Sequence, residues 1–156
     1  MKYTSILNDK FSILLPDDFQ DMDLKVASLK YPSPSRPSVI KTNEESSVDF
    51  MYNNLHQNVP QEQLSTLLQL IRINIMNVNS GVVFHEQGEI DEADNKIVWM
   101  EYENPTLDGQ MYNIMFLVNV NNEVIQGMYN CNVQEKDKWK KIMLKSAKSI
   151  KCGGMD

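Results

Sequence analysis

The chain is predicted to be an α+β protein in which an antiparallel sheet of about six to seven strands is sandwiched between helices. Three observations predict this. Residues Val82 to Val133 read as consecutive strands joined by short turns. The longest of those strands, Met111 to Val120, carries apolar residues on both faces: Tyr112, Ile114, Phe116, Val118 and Val120 on one, Met111, Met115 and Leu117 on the other. A sheet with one wet face alternates more cleanly, so both sides need cover. Two amphipathic helical stripes, one before and one after the strands, are available to supply it.

From the N-terminus, Phe11-Ser12-Ile13-Leu14-Leu15 is a short strand closed by Pro16 and a turn at Asp17-Asp18. Phe19, Met22 and Leu24 suit a turn or short helix. Lys25 to Tyr31 alternates like a strand, with Val26 and Ser28 on one face and Ala27, Leu29 and Tyr31 on the other. Pro32, Pro34 and Pro37 then forbid helix or interior strand, giving an extended crossing loop or, as the sharper reading, a proline-rich recognition motif. Val39–Thr42 and Ser47–Leu55 form the next hairpin, across a polar turn. Asn58, Pro60 and Glu62 open a helix in the expected order of cap, first-turn proline and acid. Leu64, Leu67, Leu68, Ile71, Ile75 and Val78 make one continuous face, which Leu70 and Ile73 broaden, and Gly81 suits the C′ position.

Within the meander, Val82–Ile90 ends at the acidic turn Asp91–Asn95, and Ile97–Glu103 stops at Asn104-Pro105. Gly109 is free to turn the chain into Met111–Val120. Asn121-Asn122 fits a two-residue hairpin because asparagine tolerates the left-handed region. Strand Glu123–Cys131 leads to a last helix, where Asn132 and Glu135 have capping-box spacing. Trp139, Ile142, Met143, Ala147 and Ile150 form its buried side; Lys138, Lys140, Lys141, Lys145, Lys148 and Lys151 form its wet side.

The length, 156 residues, suits one domain spanning 1–156, with a flexible tail at 152–156. A net charge of −6 argues against nucleic acid and anionic membranes as partners. The lysine run therefore reads as a solvated helix face. No stretch approaches the ~20 apolar residues of a membrane span, and the N-terminus lacks an apolar signal region. A cytoplasmic protein is expected, although a chain with its signal peptide removed would read the same. Cys131 and Cys152 form no CxxC pair, so zinc and thioredoxin-like chemistry lack support. A bridge between them stays open, with Cys152 read as a free thiol.

No nucleophile elbow, P-loop, dinucleotide fingerprint or HExxH helix occurs, and no cofactor or metal is expected. Glu86, Glu89, Asp91, Glu92 and Asp94 cluster near one turn without the spacing of an EF-hand. His56 and His85 are the only histidines; His85 lies mid-strand beside Glu86. Glu101 and Glu103 share a strand face with Ile97 and Trp99. Ten methionines are many for this length, and Met100, Met111, Met115 and Met128 all fall in the sheet. They fill the core or floor an adaptable binding surface for a peptide or helix.

The string Phe11 to Pro16, the crossing Arg36-Pro37-Ser38 into a strand at Val48–Tyr52, the helix after Pro60, and the meander leading to Trp139 and Ser149-Ile150-Lys151 together resemble the PsbP-like superfamily. That superfamily includes the photosystem II extrinsic protein, a Ran-binding nuclear import factor and the bacterial DcrB-like proteins. The resemblance implies an α/β/α sandwich and a binding, assembly or chaperone-like role, with no functional residue that carries over to a numbered position. The leading expectation is a non-enzymatic module recognising a protein or peptide partner. Trp99, Tyr102 and Tyr112 are its candidate aromatic anchors, with Glu101 and Glu103 as polar neighbours. One alternative is a chaperone or immunity partner in a bacterial toxin or secretion locus. Another is a small hydrolase using His85 and nearby carboxylates.

Overall fold

The computed structural model describes residues 1–92, 95–107 and 109–153. Among them the chain forms a seven-stranded antiparallel sheet, a separate three-stranded sheet and three α-helices. The first sheet strands are β1 (Lys2–Ile6) and β2 (Phe11–Leu15), followed by the short β3 (Gln20–Asp21) and helix α1 (Leu24–Lys30). Then come β4 (Val39–Thr42), β5 (Val48–Asn54) and α2 (Leu64–Val78). The meander is β6 (Val83–Glu92), β7 (Asn95–Thr106), β8 (Gly109–Val120) and β9 (Glu123–Asn132). Helix α3 (Lys136–Lys148) and β10 (Lys151–Cys152) end the described chain.

The large sheet runs β3-β4-β5-β9-β8-β7-β6, so the meander and the β4–β5 hairpin join edge to edge between β5 and β9. Both of its faces are covered. On one, Phe50, Tyr52, Trp99, Ile114, Phe116 and Tyr129 pack against Trp139, Met143 and Ala147 of α3 and against Ile6, Phe11, Ile13 and Leu15 of the small sheet. A buried polar thread runs through this core: Tyr52 Oη to Tyr129 Oη, Tyr129 Oη to Ser146 Oγ, and Ser146 Oγ to the Leu14 carbonyl. On the other face, Leu64 and Leu68 of α2 cover Val98, Met100, Met115, Leu117 and Val124, while Ala27 of α1 covers Met22, Ile40 and Met51. The α+β sandwich expected from the two-sided strands is the observed one.

Several local expectations are corrected. Lys25–Lys30 is helix rather than strand, with Tyr31 as its C-cap. Asp23 caps it, its Oδ1 accepting from the Lys25 and Val26 amides, and only Ala27 of the segment is buried. Seven residues are too few for alternation to outvote a cap. Strand β7 runs on through Pro105 to pair Thr106 with Gly109. The proline is tolerated because β6 pairs no further than Glu103, which leaves β7 an edge at that point. Helix α2 ends at Val78 with an extended Asn79, not at a left-handed Gly81. Gly81 instead lies against the Pro105 ring, where a Cβ would come within 2.7 Å. Asn58 accepts from Asn119 Nδ2 and does not cap α2. Leu70, Ile73 and Val78 lie on the exposed side of that helix.

Cys152 pairs with Phe11 on β2, and the Gly153 amide donates to the Lys10 carbonyl at 2.7 Å. Residues 154–156 lie outside the described residues, as do Ala93 and Asp94 of the acidic turn. Cys131 is buried, Cys152 is exposed, and neither is bridged. The Asn121-Asn122 turn is as expected, with φ of 53° and 67°. Among the described residues no helix is long and apolar enough to cross a membrane.

Candidate functional site

Four of the five candidate residues divide between two concave regions on opposite faces of the sheet. Trp99 belongs to neither. Only 6% exposed, it lies under Gly88 within the α3-side core, so it has no surface to offer a partner.

Glu101, Glu103 and Tyr112 line a cleft of about 280 Å³ between β7, β8 and α3, together with His85, Lys136, Asp137 and Lys140. A bulge in β6 builds it. The β6–β7 register shifts between Phe84 and Gln87, so His85 and Glu86 together oppose Glu101. The Glu86 amide, freed from the ladder, donates to Glu101 Oε1 at 3.2 Å. Tyr112 Oη donates to Glu101 Oε2 at 2.5 Å, and Lys140 Nζ reaches the same oxygen at 3.1 Å and Glu86 Oε2 at 2.8 Å. His85 Nε2 is 2.7 Å from Glu103 Oε2, with Lys136 Nζ at 3.7 Å.

Burial alone would raise the Glu101 pKa, but the Tyr112 hydroxyl, the Lys140 ammonium and the Glu86 amide outweigh it and hold the carboxyl below its ordinary value. Burial, and then the same hydrogen bond, push the Tyr112 phenol well above its ordinary value. Cys131, the thiol opposite Tyr112, is pushed up to about 12 by burial and by Glu135. Glu101 and Lys140 thus hold each other in their charged forms. Among the described residues lining the cleft there is no serine, threonine or cysteine. Its evident work is to hold α3 to the sheet beside the bulge.

That role has a pH signature. A carboxyl whose folded pKa is depressed contributes stability above its unfolded pKa of about 4.3 and loses it as pH falls through the lower folded value. Glu101→Gln is expected to cost about 2 kcal/mol at pH 7, the scale of charged hydrogen bonds. The gap between wild type and variant should close on acidification below about pH 4. Urea denaturation of both proteins across pH 3–7 checks this.

The second region lies on the opposite face. Antiparallel register lines up two cross-strand rows there. Met100, Met115, Met128, Met51 and Ile40 are successive direct partners on β7, β8, β9, β5 and β4. One step along the strands, Tyr102, Asn113, Asn130, Asp49 and Thr42 form a polar row. Helix α2 covers the β7–β8 end of the methionine row, so Met100 and Met115 are core. Helix α1 covers its other end. Between them lies a groove of about 370 Å³ floored by the half-buried Tyr102, Met111, Asn113 and Met128, with the buried Met51 at its edge and Lys30, Tyr31 and Pro37 as one wall.

Tyr102 is thus on the groove side, its ring tilted against Phe84 with centroids 5.3 Å apart, and burial pushes its phenol up to about 12. Arg72 of α2 caps Phe84 in turn. The far end of the groove is polar. Asp49 is fully buried; its Oδ2 accepts from Tyr31 Oη at 2.5 Å and pairs with Lys30 Nζ at 2.8 Å.

Sequence reasoning missed Lys136, Lys140 and the partnership of His85 with Glu103. The lysines' i, i+4 spacing was visible, but not that the bulge would bring carboxylates up to them. For the groove, alternate-residue pairs such as Tyr102/Asn104 and Met128/Asn130 were the available signal.

No protein-family model matches the sequence, and neither does any curated protein. Solved structures do match. The solution structure of cyanobacterial PsbP (CyanoP) from Synechocystis sp. PCC 6803 superposes with a TM-score of 0.69 over 97% of this chain and 91% of that one, at 12% identity. The chain has the PsbP-like fold. LpqN, a protein involved in cell envelope biogenesis of Mycobacterium tuberculosis, matches with a TM-score of 0.64 at 9% identity, covering 92% of this chain and 83% of LpqN. The Saccharomyces cerevisiae Ran-binding protein Mog1p matches at 0.60 and 9%, covering 96% and 93%. At these identities the PsbP-like likeness concerns the fold, and it does not single out the DcrB-like branch.

Proposed function

We propose that this chain is a non-enzymatic binding or assembly module that takes a segment of a partner protein in the methionine-floored groove. The observation that carries the reading is the gap between α1 and α2. It leaves half-buried methionine and tyrosine side chains uncovered on a rigid sheet, with Asp49, Tyr31 and Asn130 forming a hydrogen-bonded end. Methionine surfaces adapt to varied apolar side chains, and a rigid support limits the entropy lost on binding. Mog1p, a Ran-binding protein of the same fold, supports a protein as the partner class. The reading takes residues 1–156 as one domain. Of the five sequence candidates it keeps Tyr102 as a contact, and it assigns Glu101, Glu103 and Tyr112 to anchoring α3. The hydrolase reading would need the His85–Glu103 pair to act on a bound substrate; among the described lining residues there is no serine, threonine or cysteine to work with it, and the Tyr112 hydroxyl is given to Glu101.

Met111 lines the groove but is not part of any packed core cluster, so it can be changed without undoing the fold. With a partner that co-purifies with the wild-type chain from its native host, Met111→Glu is expected to weaken binding by about 2 kcal/mol, roughly thirtyfold. Glu103→Gln should leave binding unchanged. Titration calorimetry with the purified partner checks both. Loss of affinity in Glu103→Gln, with Met111→Glu unaffected, would move the site to the opposite face.

A further inference from the structure

Helix α2 is apolar on two sides, and the sheet takes only one of them. Leu64 and Leu68, with Leu67, Ile71 and Ile75, pack in the cluster over β7 and β8. Leu70, Ile73 and Met76 belong to no packed cluster and are 56%, 52% and 51% exposed. A surface helix ordinarily carries charge on that side, as α3 does with its lysines. From Gln63 to Phe84 the chain holds one charge, Arg72. That side chain is already engaged: its guanidinium lies 4.6 Å from the Phe84 ring centroid and donates to Gln87 Oε1 at 3.2 Å.

These facts narrow what covers the face. Interfacial membrane helices carry Lys and Arg beside the apolar stripe, and α2 has no such flank. A charged partner would find nothing there to complement. A chain of net charge −6, by contrast, meets its own copy with least repulsion at a neutral patch. The stripe also has the symmetry that a second copy requires. Thr66, Leu70, Ile73 and Asn77 are all exposed and follow one line of the helix at spacings of 4, 3 and 4. Read in either direction, the order is polar, apolar, apolar, polar. In an antiparallel pair with its two-fold axis between Leu70 and Ile73, Leu70 of each copy meets Ile73 of the other. Thr66 then meets Asn77, a hydroxyl against an amide. The exposed parts of Leu70, Ile73 and Met76 come to roughly 300 Å² per copy, the scale of patch that marks an interaction site. Two copies, with their polar flanks, bury on the order of 1,000 Å² in total, the lower limit for a specific interface. Such a dimer is weak and reversible.

We propose that the chain forms a two-fold dimer by antiparallel packing of α2 on α2, with Leu70 against Ile73 at its centre. The proposal does not depend on the groove. Sedimentation equilibrium of the full chain tests it, with a Kd on the order of 100 µM expected for an interface of this size. Leu70→Lys and Ile73→Glu should each weaken dimerisation at least about tenfold. Both replace exposed side chains, so circular dichroism melting should stay close to wild type. Leu107→Glu, fully exposed at the β7–β8 turn, should leave the dimer unchanged. Mixing Leu70→Lys with Ile73→Glu should restore a dimer of mixed composition, because one central contact becomes lysine against glutamate and the other stays leucine against isoleucine. A wild-type chain that stays monomeric at about 500 µM, well above that Kd, would overturn the proposal. So would a dimer that neither substitution weakens, or a monomer that binds neutral phosphatidylcholine vesicles through Ile73. Loss of the dimer in both variants without recovery on mixing would overturn the antiparallel register.

Discussion

Gly127→Ala is expected to destabilise the protein by about 3 kcal/mol or more, the upper range for an overpacked core. A Cβ on Gly127 would fall 1.8 Å from Cε1 of Phe116, its direct partner on β8, and within 2.5 Å of two further ring atoms. Neither side can give way. Phe116 is fully buried and packs against Tyr129 and Tyr52. Strand β9 is held between β5 and β8, so Gly127 cannot withdraw without breaking the junction that joins the two halves of the sheet. Phe116→Leu in the Gly127→Ala background should recover part of the loss, because it removes the clashing ring atoms. Urea midpoints of the two single variants and the double variant check the coupling.

Lys30→Met is expected to cost about 3 kcal/mol, the scale for leaving a buried charge without its partner. Asp49 is fully buried, and among the described residues its carboxylate has only the Tyr31 hydroxyl beyond Lys30. Asp49→Asn removes the charge itself and should cost less; the double variant should be more stable than Lys30→Met alone. The consequence reaches the groove. Helix α1 has seven residues, too short to hold its shape unaided, and among them it buries only Ala27. The Lys30–Asp49 pair and the Tyr31–Asp49 bond are what pin its C-terminal end as the groove wall. Lys30→Met should therefore speed amide exchange across α1 and weaken partner binding, which a core-destabilising change elsewhere of equal size would not do.

Much of this architecture is legible in the sequence because turns fix register. Once Asn121-Asn122 is read as a two-residue hairpin, Met115 must face Met128 and Asn113 must face Asn130. The pairing of Met100 with Met115 and of Tyr102 with Asn113 comes from β7 running on to pair Thr106 with Gly109, past the stop that Asn104-Pro105 suggests. Two of the four methionines of the row, Met115 and Met128, and the amide pair beside them follow from local chemistry. Met51 does not, because β5 reaches β9 through a long connection that contains all of α2 and most of the meander. The groove was hidden for a related reason. Whether a methionine row is core or floor depends on how far α1 and α2 extend over it, and α1 was itself read as a strand. Its seven residues satisfy both periods, and the Asp23 cap decides between them. The charged cleft was half visible: Glu101 and Glu103 share a face by alternation, but the β6 bulge that sets His85 and Glu86 against them breaks the two-residue period on which the strand assignment rests.

The central claim is that partner binding occurs on the uncovered part of the methionine row. The ε-methyl groups of the ten methionines report on it directly. In assigned spectra of methionine-labelled protein titrated with its partner, the account predicts that the resonances of Met51, Met111 and Met128 shift, while those of Met143 in the α3-side core and Met76 on the outer face of α2 stay in place. Shifts at Met76 with Met111 and Met128 unmoved would contradict it.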